Sequence, residues 1–212
     1  MDAPIVHIVD DDEPTRVAMR RLISAEGLEA RIYASAGEFL ERFTPDAPGC
    51  IVLDVRLPGL SGLDLQARLA KREDLLPIIF LTGHAEVPDS VRAIQGGAVD
   101  FPVKPIDGKV LLAAVHRALE QNREDRAARA RRQEILAKYD RLTDREKEVF
   151  EHLVRGQLNK QVAADLNISE RTIKQHRARI YTKLDTDSMA GLVLIAVDLG
   201  IGPTVKGRSK DR

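Results

Sequence analysis

Short apolar runs alternate with amphipathic stretches through the first half of the chain. The runs have the length of strands, and apolar residues recur at helical spacing between them. The predicted strands are residues 5–9, 29–33, 50–54, 78–82 and 99–103. Turn and capping signals such as Ser35-x-x-Glu38 separate the strands from the helices. The pattern predicts an α/β fold with a doubly wound, five-stranded parallel sheet and right-handed crossovers.

The second half of the chain has a helical pattern throughout. Residues 120–134 contain neither Gly nor Pro, which favours a long helix. This helix is either a signalling or dimer-forming coil or a solvated spacer, since few apolar positions repeat along it. We therefore divide the chain into a first domain at 1–120, a helical linker at 121–140, a small all-α domain at 141–202 and a flexible tail at 203–212.

The all-α domain combines a capping box with a basic helix. Thr143-x-x-Glu146 opens one helix, and Ser169 caps a later helix at 170–184. The later helix has an apolar stripe on one side and mostly Lys and Arg elsewhere, which is also compatible with a solvated face. Because it follows a short helix and a tight turn, the pattern is typical of helix-turn-helix DNA binding.

The balance of charge differs between the two halves. Residues 1–120 carry 13 Lys/Arg and 19 Asp/Glu, a net charge of −6. Residues 121–212 carry 20 and 14, a net charge of +6 that makes the whole chain neutral. The acidic half suits a cation as partner, and the basic half suits a polyanion.

Features of targeting and redox chemistry are few. The single cysteine, Cys50, lies in an apolar run and is expected to be a buried strand residue rather than a nucleophile. The N-terminus does not resemble a signal peptide, and no apolar stretch approaches the ~18 residues of a membrane span. We expect a cytoplasmic protein with no membrane partner.

Polar side chains follow the ends of four predicted strands. Asp10 and Asp11 come after the first strand, Asp54 ends the third, Thr82 ends the fourth, and Lys104 follows the fifth. The carboxyl ends of parallel strands meet at one edge of a sheet, so these groups are expected to converge. Clustered carboxylates favour a hard cation, Mg²⁺ or Mn²⁺. The alternatives are a solvated acidic loop or, for Asp54 alone, a cap for the next helix.

Several strings in the first domain match a known family. They include Ile8-Val9-Asp10-Asp11, Val52-Leu53-Asp54-Val55-Arg56-Leu57-Pro58-Gly59, Phe80-Leu81-Thr82-Gly83-His84 and Val103-Lys104-Pro105. With these strings, residues 5–105 resemble the receiver domain of two-component response regulators, in particular the FixJ-like branch of the NarL/FixJ type. The resemblance implies a flavodoxin-like fold with strand order 2-1-3-4-5 and a cis peptide bond before Pro105.

The resemblance also implies a role for each polar group at the edge of the sheet. Asp54 is expected to accept a phosphoryl group, and Lys104 to pair with the phosphoryl oxygens. Thr82 and Phe101 are expected to sense the phosphate and to switch with it. The implied metal ligands are Asp10, Asp11, Asp54 and the backbone carbonyl of Arg56. A carboxylate is an effective nucleophile on phosphorus only where the charge of the transferring oxygens is offset.

The second domain resembles another family. Leu142-Thr143-x-Arg145-Glu146 and Ser169-x-Arg171-Thr172-Ile173-Lys174-x-His176 are similar to strings of LuxR-type DNA-binding domains, over residues 142–196. Base contacts in the major groove are implied for Lys174, Gln175 and Ala178. Phosphate contacts are implied for Asn159, Lys160, Arg171, Thr172, Arg177 and Lys183. The apolar helix that closes the domain corresponds to the dimer contact of the family.

Pro102 departs from a regular strand because it has no backbone N–H to donate. We therefore expect the fifth strand to lie at the edge of the sheet. We also expect the missing N–H to face outwards, where no neighbouring strand needs it.

The combined pattern predicts a phosphorylation-activated transcriptional regulator rather than an enzyme. The implied partners are a sensor histidine kinase, double-stranded promoter DNA, RNA polymerase and a second copy in a homodimer. One alternative is a phosphorylation-independent DNA-binding regulator whose receiver is only a protein-contact module. Another is a phosphatase with an aspartyl-phosphate intermediate, but such enzymes carry a second carboxylate where Arg56 stands.

Overall fold

The computed structural model describes residues 3–44, 47–71, 76–83 and 87–201. By its internal contacts the chain divides into two compact units, Met1–Ala127 and Ala128–Arg212. His84 and the predicted tail at 203–212 lie outside the described residues. Within the described ranges, no helix is both long and apolar enough to cross a membrane.

In the first unit, strands and helices alternate along the chain. The elements are β1 (Ile5–Val9), α1 (Glu13–Ala25), β2 (Glu29–Tyr33), α2 (Ala36–Arg42), β3 (Gly49–Asp54), α3 (Gly62–Lys71), β4 (Ile78–Leu81), α4 (Val87–Gln95) and α5 (Gly108–Tyr139). The four strands are parallel and lie in the order β2-β1-β3-β4. The predicted doubly wound fold, and the predicted order of these strands, are confirmed.

Two apolar clusters cover the two faces of this sheet. Every residue of β1 and β3 is buried, as expected for central parallel strands with helices on both faces. Val6 and Ile8 pack with α1 and α5, whereas Val9 packs with α2 and α3 on the other face. Cys50 is buried in β3, and burial raises the pKa of its thiol to about 12, so it is not a ready nucleophile.

The segment after α4 does not form the predicted fifth strand. Residues 99–103 run beside β4, but only two isolated parallel bridges join them to it. The Phe80 N–H donates to the Asp100 carbonyl, and the Thr82 N–H donates to the Pro102 carbonyl. The N–H and C=O of one strand residue point to the same side, so the N–H that Pro102 lacks would have faced β4. The prediction that it faces outwards is wrong, and the missing donor interrupts the ladder.

The second unit is a group of helices around its own apolar core. After α5 come α6 (Asp144–Val154), α7 (Asn159–Asp165), α8 (Glu170–Leu184) and α9 (Met189–Leu199). Thr143 and Glu146 form the predicted reciprocal capping box, and the Ser169 side chain caps α8. Residues 128–139 of α5 belong to this unit, where the ring of Tyr139 packs 5.5 Å from that of Phe150. The boundary between the units therefore falls inside one helix.

A histidine is buried in the middle of β1. His7 is only 2 % exposed, and its Nδ1 lies 3.0 Å from the hydroxyl oxygen of Tyr33. The rings of Phe39 and Phe43 stand edge-on to it. Burial removes the hydration that an imidazolium needs and, together with the charge of Arg31, lowers the pKa of His7 to about 4. His7 is therefore neutral at physiological pH.

The free energy of unfolding is expected to decrease as the pH falls from 6.5 to about 4, the two pKa values of His7 in the unfolded and folded chain. Between them the unfolded chain binds a proton that the folded chain does not, so acid favours unfolding. The full difference corresponds to at most about 3 kcal/mol. Urea titrations across this window should show a weaker pH dependence for His7→Phe than for the wild type. Equal slopes would contradict the assignment.

Candidate functional site

Three carboxylates meet at the carboxyl edge of the sheet. Because β1 and β3 are neighbours, with Val9 paired to Leu53, the carboxylates at their ends lie side by side. One oxygen from each of Asp10, Asp11 and Asp54 lies within 4.8 Å of the others. Asp10 is 1 % exposed and Asp54 is 8 % exposed, while Asp11 faces solvent. Three such oxygens in one place can hold a hard divalent cation.

Lys104 reaches the same edge and joins two of these carboxylates. Its Nζ lies 2.5 Å from Oδ2 of Asp10 and 2.5 Å from Oδ2 of Asp54. Burial disfavours the charged ammonium, but its hydrogen bonds and attraction to the two carboxylates outweigh burial and raise the pKa of Lys104. The ammonium therefore stays charged and neutralises part of the acidic cluster. For Asp10, burial disfavours the charged carboxylate and so raises the pKa, while the hydrogen bond from Lys104 opposes that change.

Asp54 is held in one orientation by its surroundings. While Lys104 donates to one oxygen, the backbone N–H of Arg56 donates to Oδ1 at 2.8 Å. The start of α3 packs tightly behind it, since a Cβ on Gly62 would lie 2.2 Å from the carbonyl oxygen of Asp54. The carboxylate is thus fixed and lies beside a cation, which suits a nucleophile that attacks phosphorus. Ligation by the Arg56 carbonyl stays a prediction.

Thr82 and Phe101 lie where β4 meets the segment after α4. Thr82 is buried, and its backbone N–H and C=O bond this segment at Pro102 and Lys104. Phe101 is partly buried, with its ring centroid 5.8 Å from that of Phe80. A movement of Thr82 would therefore be transmitted directly to the segment that carries both Phe101 and Lys104. Their roles as phosphate sensors stay predictions.

Two residues that the sequence analysis did not assign also hold the acidic loop. Asp12 caps α1, since its Oδ2 accepts from the Thr15 N–H at 2.9 Å, and its own N–H donates to Oδ1 of Asp10. Arg16 donates from Nη1 to the carbonyl oxygen of Asp10 at 2.5 Å. An Asp shortly before Pro14 is a readable cap signal and could have identified Asp12. No local signal identifies Arg16.

The basic helix α8 has one apolar face and one polar face. Its buried residues are Ile173, Ile180 and Leu184. The exposed residues include the predicted base contacts Lys174, Gln175 and Ala178, and among the predicted phosphate contacts Arg171 on α8 and Lys160 on α7. A helix anchored on one side and polar on the other can enter a major groove with its exposed face.

Some predicted phosphate contacts bond to each other or to neighbouring side chains. Arg177 donates to Oδ1 of Asn159 at 2.8 Å, and its guanidinium lies 5.8 Å from the ring centre of Tyr181. Oγ1 of Thr172 lies 2.8 Å from Oγ of Ser169, the N-cap of α8. The first pair connects α7 to α8 and so fixes the angle of the helix-turn-helix. Contacts of these residues with phosphates stay predictions.

Lys183 is placed against the interior of the second unit. Its Nζ donates to Oε2 of Glu146 at 2.6 Å and to the carbonyl oxygen of Arg141 at 2.9 Å. Burial disfavours the charged form of Glu146, but the hydrogen bonds from Lys183 and from the Thr143 N–H keep its pKa below the usual value. Two of the three ammonium protons of Lys183 therefore form hydrogen bonds inside the second unit, a structural role that no local pattern in the sequence indicates. Its phosphate contact stays untested.

The two units match two protein families. Residues 6–116 match the response regulator receiver domain, and residues 140–196 match the bacterial regulatory proteins of the luxR family. Nodulation protein W of Bradyrhizobium diazoefficiens is 43 % identical over 93 % of this chain and 87 % of its own length. Transcriptional regulatory protein FixJ of Azorhizobium caulinodans is 39 % identical over 93 % of this chain and 94 % of its own.

Two solved structures match most of the length of this chain. Response regulator StyR is 40 % identical, with a TM-score of 0.81 over 92 % of this chain and 99 % of its own. Full-length FixJ from B. japonicum is 34 % identical, with a TM-score of 0.56 over 95 % of this chain and 99 % of its own. The acidic edge of the sheet and the exposed face of α8 both lie inside the matched regions.

Proposed function

This chain belongs to the response regulators that join a receiver domain to a LuxR-type DNA-binding domain, and from that membership we propose that phosphorylation of Asp54 controls its binding to promoter DNA. The observation that carries the proposal is the pair of hydrogen bonds by which Lys104 joins Asp54 to Asp10. The pair brings two carboxylates and a cation together at the carboxyl edge of the sheet, which supports phosphoryl transfer to Asp54.

A sensor histidine kinase is the proposed phosphoryl donor. An oxygen of Asp54 attacks the phosphorus while the bond from phosphorus to the imidazole nitrogen of the donor breaks. The leaving imidazole takes up a proton and is neutral after the transfer. The hydrogen bonds from Arg56 and Lys104 hold the Asp54 carboxylate ready for this attack, which reduces the entropy cost of the reaction.

The donor atoms of the acidic edge fit Mg²⁺ or Mn²⁺. Asp10, Asp11 and Asp54 offer carboxylate oxygens within 4.8 Å of one another, and the carbonyl of Arg56 is the further predicted ligand. When bound, the cation supplies positive charge that offsets the charge of the transferring oxygens. Lys104 supplies a second positive charge, and its raised pKa keeps it protonated throughout.

The new phosphoryl group is proposed to act through Thr82. Its oxygens are strong acceptors, so they attract the Thr82 hydroxyl from its place at the end of β4. Thr82 is bonded through its backbone to the segment that carries Phe101, and the interrupted ladder at Pro102 gives that segment fewer bonds to break. Phe101 then turns inwards, and the altered surface around residues 99–103 favours a homodimer.

The homodimer is proposed to present two copies of α8 to a two-fold promoter site. Exposed Lys174 and Gln175 read base edges, and neighbouring basic residues bind phosphates. Two linked half-sites raise affinity through effective concentration. In this proposal the chain acts in the cytoplasm as a regulator with RNA polymerase as a further partner, and it is not an enzyme.

A gel-shift titration tests the proposed switch. The probe is a genomic fragment selected by its affinity for protein treated with acetyl phosphate and Mg²⁺. Phosphodonor should tighten binding at least about tenfold, since dimers gain from linked half-sites. Lys174→Ala should lose about 1–3 kcal/mol of discrimination at one base position, whereas Lys109→Ala should behave as wild type. If the affinity for DNA is equal with and without phosphodonor, the proposal is wrong and the chain is a phosphorylation-independent DNA-binding regulator.

A further inference from the structure

The outer edge of β2 carries a pocket that the proposed phosphotransfer does not use. β2 is the first strand in the order β2-β1-β3-β4, so one of its edges has no neighbouring strand among the described residues. α1 and α2 pack on opposite faces of the sheet and flank this edge. Between them lies a cavity of about 410 Å³. It is lined by Arg16, Arg20, Ala30, Arg31, Ile32, Ala34, Glu38 and Arg42.

The pocket is basic although its domain is acidic. Four of its lining residues are arginines and one is a glutamate, whereas residues 1–120 as a whole have a net charge of −6. Arg16 and Arg20 lie four residues apart and therefore share one face of α1. A concentration of guanidinium groups in an acidic domain is not explained by solubility, because the surrounding surface is already charged.

The guanidinium groups keep donors available for a ligand. Three of the four arginines make hydrogen bonds or ion pairs within the first unit, and the guanidinium of Arg42 also lies 5.5 Å from the ring centre of Tyr33. The hydrogen bonds and ion pairs join Arg16 to the Asp10 carbonyl, Arg31 to Glu29, and Arg42 to Glu38. Arg20 makes no hydrogen bond or ion pair with the rest of the described chain. Each guanidinium has five N–H donors, so most of the donors around the pocket have no partner among the residues that the structure describes.

Size and chemistry together indicate the class of ligand. The floor is formed by the small or apolar residues Ala30, Ile32 and Ala34, which leaves the space between the arginines open. Its volume falls in the range of small-molecule sites, roughly 300–1,000 Å³. The planar fork of arginine matches the oxygens of phosphoryl groups in pairs. We propose that this pocket binds a small anion with two or more linked phosphoryl groups, such as a nucleoside triphosphate or an inorganic polyphosphate.

Calorimetric titration of the full-length protein with inorganic triphosphate, without divalent cations and at physiological salt, tests the proposal. Wild type should show saturable binding of one anion per chain. Arg20→Glu should weaken binding by at least about tenfold, because it removes a charge-assisted donor and adds repulsion. Arg20 is the residue chosen because it makes no hydrogen bond or ion pair with the described residues, and circular dichroism should show that the variant is folded. Arg16 is left intact because it holds the Asp10 loop.

Two control variants locate the anion on the chain. Arg117→Ala, an exposed arginine of the first unit, should bind triphosphate as wild type does. The double variant Arg171→Ala/Lys174→Ala, in the basic helix α8, should also bind as wild type. Loss of binding in the α8 variant but not in Arg20→Glu would overturn the proposal, and so would the absence of saturable binding to wild type.

The identity of the anion is tested by the same calorimetric titration, with ATP in place of inorganic triphosphate. Equal affinity for ATP and triphosphate would mean that only phosphoryl groups are recognised, while tighter ATP binding would identify a nucleotide site. Either result supports a site for linked phosphoryl groups. Binding of a single-stranded oligonucleotide that depends on Arg20, without any binding of triphosphate or ATP, would overturn the proposal in favour of a nucleic-acid contact.

Discussion

Asp54→Asn should leave the protein without phosphoryl groups after treatment with acetyl phosphate and Mg²⁺, under conditions in which wild type is modified. The amide has nearly the shape of the carboxylate but lacks the nucleophilic charged oxygen, so no bond to phosphorus forms. The hydrogen bond from the Arg56 N–H can persist, which preserves the local fold. Phosphate-affinity electrophoresis and intact-mass measurement should both show incorporation reduced to background.

A nearby carboxylate serves as the matched control. Asp64 accepts a hydrogen bond from the Ser61 hydroxyl and is exposed at the start of α3, close in sequence to Asp54. Asp64→Asn should be phosphorylated at the wild-type rate, because this residue has no contact with Lys104. If Asp54→Asn still incorporates phosphate stoichiometrically, another residue is the acceptor and the proposed mechanism is wrong.

Lys104→Gln should slow phosphorylation by acetyl phosphate by about 10²-fold or more, the usual cost of removing one preorganised charge that stabilises transferring oxygens. The substitution removes the cation that lies 2.5 Å from both Asp10 and Asp54. A glutamine can still donate a hydrogen bond, so the decrease in phosphorylation rate reports the loss of the positive charge rather than a change in packing. Rates are followed by phosphate-affinity electrophoresis against time, with Lys109→Ala as a surface control.

Measuring Mn²⁺ binding by Lys104→Gln distinguishes the loss of the positive charge from a loss of structure at the acidic edge. Asp10, Asp11 and Asp54 remain in Lys104→Gln, and a competing positive charge has been removed from beside them. Electron paramagnetic resonance of Mn²⁺ should therefore show binding at least as tight as in wild type. Weaker Mn²⁺ binding would indicate that the edge has lost its structure. An unchanged phosphorylation rate would show that Lys104 has no part in transfer.

Local signals in the sequence were enough to place most elements of both units. Capping patterns worked because a cap needs only residues three positions apart, as at Thr143 and Glu146. The buried strand that ends at Asp54 was readable because both faces of a central parallel strand are apolar. The convergence of Asp10 and Asp54 followed from the same fold rule, which places strand ends at one edge.

The fifth strand shows where a local rule gave the wrong answer. A proline signals an edge position, but the sequence does not say which side of the strand the missing donor faces. That side depends on the register with β4, where the Pro102 carbonyl accepts from Thr82. The register is set by packing of the whole sheet. In this register the donor that Pro102 lacks would have faced β4, so the ladder is interrupted and residues 99–103 form only two isolated bridges.

The sequence by itself determined the two families of fold, the carboxylates at the strand ends and the basic helix, because periodicity, caps and motif spacing act over a few residues. Only the tertiary structure decided how distant side chains meet. Lys104 joins Asp10 across 94 positions, Lys183 joins Glu146 across 37, and arginines from α1, β2 and α2 surround one pocket. Such contacts depend on distances of a few ångströms between elements, and the packing of the whole domain sets those distances.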